Sequence, residues 1–152
     1  MDRKDRRMLE LLQANAMLTT AEIAEEVGLT TTPCWRRIQK LEEDGYIKAR
    51  VALLDRRKMN VGITVFVSVR TNQHAGDWLK RFMATVDRMP EIVEAHRLSG
   101  DTDYLLRIVV PDIAEYDRVY QQLIKELDFL DISSSFSMEE LKFTTTVPVK
   151  YA

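Results

Sequence analysis

Apolar residues recur at helical spacing through the first third of the chain and mostly in strand alternation or helical stripes after it. Residues 2–14 gather Met8, Leu9, Leu11 and Leu12, with Asp2 and Asp5 near the start, where carboxylates favour the positive end of a helix dipole. Thr19 and Glu22 have capping-box spacing, so a second helix begins there. Its apolar face is Ala21, Ile23, Ala24 and Val27, and Gly28, free to take a left-handed backbone, ends it. A third helix starts within Thr30–Thr32 and tolerates Pro33 in its first turn. Cys34, Ile38 and Leu41, at i, i+4 and i+7, form its buried face, and Gly45 closes it. Ile47–Leu54 alternates and predicts a short strand.

The charged run Asp55–Lys58 has no period and predicts a linker over 55–61. Beyond it, Ile63, Val65, Val67 and Val69 alternate as a strand. Trp78, Leu79, Phe82, Met83 and Val86 mark a helix over 77–89, with Pro90 after its end. Ile92–Ser99 and Tyr104–Val110 read as strands around the turn Gly100–Asp103. Pro111-Asp112 opens a helix striped by Ile113, Tyr116, Tyr120, Leu123 and Leu127. Ile132, Ser134, Phe136 and Met138 then alternate, and the phase slips to Leu141, Phe143, Thr145 and Val147, as a bulge near Glu139-Glu140 would produce. The order β-α-β-β-α-β is the ferredoxin-like arrangement, so the fold class is α+β: an N-terminal helix-turn-helix domain (1–54), a linker (55–61) and a C-terminal ferredoxin-like domain (62–152). Its sheet has one face without helices. That face is expected to carry part of the apolar set and so to drive a homodimer or larger assembly.

Composition adds exclusions. Apolar residues make up 45% and charged residues 30% of 152, as in a soluble folded protein. No apolar run approaches the roughly 18–20 residues that cross a bilayer, and no long apolar segment follows the basic N-terminus as in a secretory signal. The single cysteine, Cys34, excludes an intrachain disulfide and suits the cytoplasm; as a free thiol it fits core packing better than a redox switch. His74 and His96 have no Cys/His cluster around them, so neither a metal nor a cofactor is expected.

The net charge of −2 hides a split. Residues 1–60 hold 12 Lys and Arg against 10 Asp and Glu, and the acidic excess lies in residues 61–152. Between Thr30 and Lys40 stand Arg36, Arg37 and Lys40 and no acid. A helix, a glycine turn and a second helix with a basic outer face are the parts of a DNA reader. Arg and Lys grip phosphates or guanine, Gln pairs with adenine, and Thr and Trp touch thymine methyls or sugars. The candidate contacts to double-stranded DNA are Thr31, Thr32, Trp35, Arg36, Arg37, Gln39 and Lys40. The plainer reading is a solvated helix face, and Arg37, three residues from Cys34, could instead brace the fold. No phosphate loop or nucleophile–base set is present, so no catalytic residue is expected, and an enzyme subunit is the least favoured class. A nucleoid-architecture protein binding DNA with little sequence preference is the other alternative.

Several segments together resemble the Lrp/AsnC, or feast/famine, family of transcription regulators: Leu29–Ile38, Leu41–Ile47, Ala52–Asp55, Gly100–Leu106 and Ser133–Phe136. Thr30–Trp35, Val51–Asp55 and Ser134–Glu139 are most similar to the branch that senses cysteine and activates its detoxification. The resemblance implies a winged helix-turn-helix and a ligand-sensing (RAM-type) ferredoxin-like domain that controls amino-acid metabolism. It implies dimers paired through their sheets and assembling to octamers. The effector would be a small amino acid, with cysteine and leucine as candidates, held at a dimer–dimer junction. The candidate effector residues are Ser99, Gly100, Asp101, Thr102, Asp103 and Tyr104, with Ser133, Ser134 and Ser135 contributed from a neighbouring chain. Turn amides would hold the carboxylate, an aspartate the ammonium, and serine hydroxyls either end. The plainer reading is that Asp101 and Asp103 only shape the turn and Tyr104 only packs.

Overall fold

The computed structural model describes residues 1–72 and 76–152, so His74 lies outside the described residues. It divides into two compact units, Met1–Leu53 with Lys142–Ala152, and Leu54–Leu141.

The first unit is built on three helices, α1 (Arg3–Ala14), α2 (Thr20–Val27) and α3 (Thr31–Glu43). Asp2 and Asp5 form a capping box at the start of α1, and Thr19 and Glu22 form one at the start of α2. Each box satisfies two backbone donors that a helix start leaves without partners. Gly28 ends α2 at φ +63°, and its carbonyl accepts Lys4 Nζ at 2.8 Å. Thr30 caps α3 by backbone position alone, without a side-chain hydrogen bond. The core joins Met8, Leu9 and Leu12 of α1, Ile23, Ala24 and Val27 of α2, and Cys34, Ile38 and Leu41 of α3. Removing each large apolar side chain from water contributes roughly 1.5–3 kcal/mol.

Two strand expectations fail. Among the described residues no strand lies over 47–54 or 139–147. Ile47 packs against the helical core, but Val51, Leu53 and Leu54 are exposed, as are Leu141, Phe143 and Val147. Alternation marks a strand only where a neighbouring ladder takes up the backbone groups, and neither segment has one within this chain. The tail instead returns to the first unit. Gln13 Nε2 donates to the Val147 carbonyl at 3.2 Å, and the Val147 N–H donates to Gln13 Oε1 at 2.7 Å. Val149, opening a short 3-10 turn at Val149–Tyr151, packs on the helical core. The compact second unit is therefore 54–141 rather than 62–152, and it includes the segment expected as a linker. There Asp55 Oδ1 accepts the N–H groups of Arg57 and Lys58 and folds 55–60 into a turn.

The second unit has the expected β-α-β-β-α-β order: β1 (Ile63–Arg70), α4 (Gly76–Arg88), β2 (Ile92–Arg97), β3 (Tyr104–Val110), α5 (Ile113–Glu126) and β4 (Asp131–Phe136). The sheet runs β2-β3-β1-β4, all neighbours antiparallel. Val65, Val67 and Val69 of β1 and Leu106, Ile108 and Val110 of β3 are fully buried in one core with Trp78, Phe82, Val119 and Leu123. The Trp78 and Phe82 rings stack at 5.1 Å, and Trp78 Nε1 donates to the Asp128 carbonyl. Ile113, expected in the α5 stripe, is exposed, and Val119 is the buried residue the stripe had missed.

The opposite sheet face carries part of the apolar set, as expected. Strand alternation gives it Thr64, Phe66, Ser68 and Arg70 from β1, Leu105, Arg107 and Val109 from β3, and Ser133 and Ser135 from β4. Arg107 pairs there with Glu94 at 2.6 Å. Among the described residues, no helix is long and apolar enough to cross a membrane.

Candidate functional site

Helix α3 divides lengthwise, as its spacing predicts. Cys34, Ile38 and Leu41 are buried, while Thr31, Thr32, Trp35, Arg36 and Lys40 are exposed and Arg37 and Gln39 half-buried. Burial pushes the Cys34 thiol up from its ordinary pKa, which disfavours thiolate chemistry and suits packing. Arg36 has no ion-pair partner among the described residues, and Trp35 keeps about half its surface open (52%). Thr32, Arg36 and Lys40 follow at i, i+4 and i+8 along one exposed stripe.

Arg37 stands apart from that stripe. Its Nη1 lies 2.6 Å from Asp2 Oδ2 and 2.8 Å from Asp5 Oδ1, so it ties α3 to the start of α1. The Asp5 backbone N–H and this guanidinium hold the Asp2 carboxyl at about 2, below its ordinary range. A phosphate at Arg37 would meet both carboxylates. Its surroundings suit the bracing role that the sequence reading set beside DNA contact. The face is also less uncompensated than the acid-free run suggests. Lys40 Nζ pairs with Asp44 at 3.1 Å, and Gln39 Nε2 donates to Glu42 at 3.2 Å. Arg50 reaches Glu42 from beyond the helix at 2.8 Å.

The candidate effector residues separate into three groups. Ser99, Gly100 and Asp101 are exposed on the turn after β2, with Gly100 at φ +117°, where L side chains are rarely found. Thr102 and Asp103 are half-buried. Asp103 fastens the turn to β1: its N–H donates to the Val69 carbonyl and its Oδ2 accepts the Thr71 N–H at 2.8 Å. One of its carboxylate oxygens is thus engaged, whereas Asp101 is exposed. Tyr104 is largely buried, at 7% exposure. Its ring is buried with centroids 5.6 Å from Trp78 and 4.7 Å from Phe82, so it packs.

The three serines cannot share one face, because side chains alternate along a strand. Ser133 and Ser135 lie opposite Ser68 and Phe66 on the helix-free face. Ser134 points to the helices and hydrogen-bonds the Tyr116 hydroxyl. Ser133 and the turn occupy the same end of the sheet, but β1 stands between β4 and the β3 end of the turn, roughly 10 Å at sheet spacing. Within one protomer, then, the turn and the serines do not form one pocket.

The chain matches the family profile for the Lrp/AsnC ligand binding domain over residues 64–147, and the profile for winged helix-turn-helix DNA-binding over residues 1–48. Among known proteins it is 49% identical to the glutamate uptake regulatory protein of Zymomonas mobilis over 98% of this chain and 91% of that one. It is 43% identical to the DNA-binding transcriptional activator DecR of Escherichia coli over 99% of both. Among solved structures, an AsnC family transcriptional regulator from Agrobacterium tumefaciens superposes with a TM-score of 0.96 at 56% identity, covering 99% of each chain. A transcriptional regulator from Neisseria meningitidis, in complex with L-Met, gives 0.93 at 34% identity, covering 99% of this chain and 98% of that one. The chain belongs to the Lrp/AsnC family of DNA-binding transcription regulators, with a winged helix-turn-helix unit and a ferredoxin-like ligand-binding unit.

Proposed function

We propose that this regulator reads operator DNA with Thr31, Thr32, Trp35, Arg36, Gln39 and Lys40, Arg37 holding the helix that carries them, and that a small amino acid governs the binding. The observation that carries the reading is the division of α3: a fully packed edge fixes the helix on α1 and α2, and Thr32, Arg36 and Lys40 stay exposed in one line. Lys40 tracks phosphate, while Arg36, Gln39 and the threonines reach base edges. The protein acts as a cytoplasmic homodimer assembling further, without catalytic activity. Val51, Leu53, Leu141 and Phe143 are exposed, and a second copy would cover them.

The effector is an α-amino acid, cysteine or leucine first, with the Ser99–Asp101 backbone on its carboxylate and Asp101 on its ammonium. The L-Met complex of the Neisseria regulator supports that ligand class, and the likeness to the activator DecR supports activation as the mode of control.

The test is operator binding by the Arg36→Ala/Gln39→Ala double variant. Losing a guanine-type and an adenine-type contact, at roughly 1–3 kcal/mol each, should weaken operator binding by about thirtyfold or more while random-DNA affinity at matched salt changes less. Operator affinity that survived the double change would overturn the reading face. Equal affinity of the unaltered protein for operator and random DNA would favour the nucleoid-architecture role instead.

A further inference from the structure

The second unit carries a cleft of about 130 Å³ at the end of β1 opposite the turn. Buried Thr64 forms its floor: the hydroxyl accepts Arg56 Nη1 at 2.6 Å and the carbonyl accepts the Ser137 N–H at 2.9 Å. Arg56 Nη2 donates to Glu140 Oε2 at 2.6 Å, so one cation and one anion of the lining already neutralise each other and hold the walls. The lining has a second cation and a second anion, Arg57 and Glu139. Neither side chain has an ion-pair partner among the described residues. Beside Gly62, only an Arg57 methylene comes within 4.0 Å of where a Cβ would stand, which leaves space on that wall. Met138, almost wholly exposed (96%), is the apolar part of the rim.

This charge set selects its ligand. A simple anion placed on Arg57 meets Glu139 and Glu140, and a simple cation placed on Glu139 meets Arg56 and Arg57. A small molecule carrying both charges meets both demands at once. We propose that the cleft is a second binding site for a small α-amino acid, with the Arg57 guanidinium on the carboxylate, Glu139 on the ammonium and Met138 beside the side chain. The inference rests on the reading that a small amino acid governs this protein, and adds a site to the turn at Ser99–Asp103. Its position gives it consequence. The second unit begins at Leu54 and ends at Leu141, so the Arg56–Glu140 pair staples the two segments by which the chain enters and leaves it. An occupant touches both.

The test uses the full chain with methyl-labelled methionine, the Met138 signal being assigned through Met138→Leu. L-alanine, L-leucine and reduced L-cysteine are titrated to millimolar concentrations, with propionate and ethylamine as single-charge probes, and melting temperature is followed in parallel. The expected result is a saturable shift of Met138 with at least one amino acid and none with either single-charge probe. Arg57→Ala and Glu139→Ala should each weaken it by roughly tenfold, the scale of a lost hydrogen bond to a charged group. Asp101→Asn should leave it unchanged. A static Met138 signal with a ligand-induced rise in melting temperature would overturn the cleft site and leave the amino-acid reading standing. No shift and no rise would overturn both. A shift that survived both cleft substitutions, or that propionate reproduced, would overturn the zwitterion assignment.

Discussion

Adjacent arginines on α3 stand in different surroundings. Arg37 is held by Asp2 and Asp5, whereas Arg36 points outward without an ion-pair partner among the described residues. Arg37→Ala should lower the melting temperature by about 2–4 °C, the effect of roughly 1 kcal/mol at this chain length and the upper end for exposed ion pairs. Arg36→Ala should leave melting unchanged and weaken DNA binding. A thermal melt paired with a gel shift on both variants checks this, and the reverse pattern would exchange the two roles. The sign of the pH effect follows from Asp2. Its folded pKa is about 2, below the ordinary value, so its contribution is present above roughly pH 4 and is lost as pH falls toward 2. The spacing of Cys34, Ile38 and Leu41 made the buried edge legible in the sequence. It could not place Asp2 and Asp5 beside Arg37, which lie 35 and 32 positions away.

At the scale of elements, local signals that close within a few residues proved dependable. The Thr19–Glu22 box and the glycine stop of α2 are complete inside one short segment. Gly28 sits at φ +63°, and a Cβ there would meet nothing nearer than Lys4 Nζ at 4.0 Å. The cost of Gly28→Ala is therefore conformational, roughly 1–2 kcal/mol, and a chemical melt should report a loss of that size at unchanged denaturant slope. A loss near zero would mean that the turn relaxes. Alternation was dependable only where a ladder received it. It located β1 and β3, which have neighbours on both sides, and failed for 47–54 and 139–147, which have none among the described residues. At the candidate effector site the turn was legible from Gly100 and its aspartates. The separation of Ser134 from Ser133 and Ser135 follows from strand pleating once the register is known.

At the scale of the whole molecule, the tail belongs by contact to the helical unit and by covalent connection to the end of the sheet unit. The Gln13 carboxamide holds Val147 by both its N–H and its C=O, as a neighbouring strand would. Gln13→Ala should leave the tail held only by the Val149 contact. Limited proteolysis should then cut residues 142–147 several times faster, at nearly unchanged global melting temperature, and an unaltered rate would assign the tail's anchoring to Val149 alone. By itself the sequence determined the three helices, the β-α-β-β-α-β order and the exposed stripe of α3, because these depend on spacing within single segments. It also placed the chain in its family through segments spread along most of its length. Only the tertiary structure decided that Arg37 pairs with Asp2 and Asp5, that the Tyr104 ring lies in the core, that the tail returns to α1, and that Arg56, Thr64 and Glu140 meet around a cleft. Those outcomes join residues far apart in the chain, and no periodicity encodes which distant charge or amide a side chain will find.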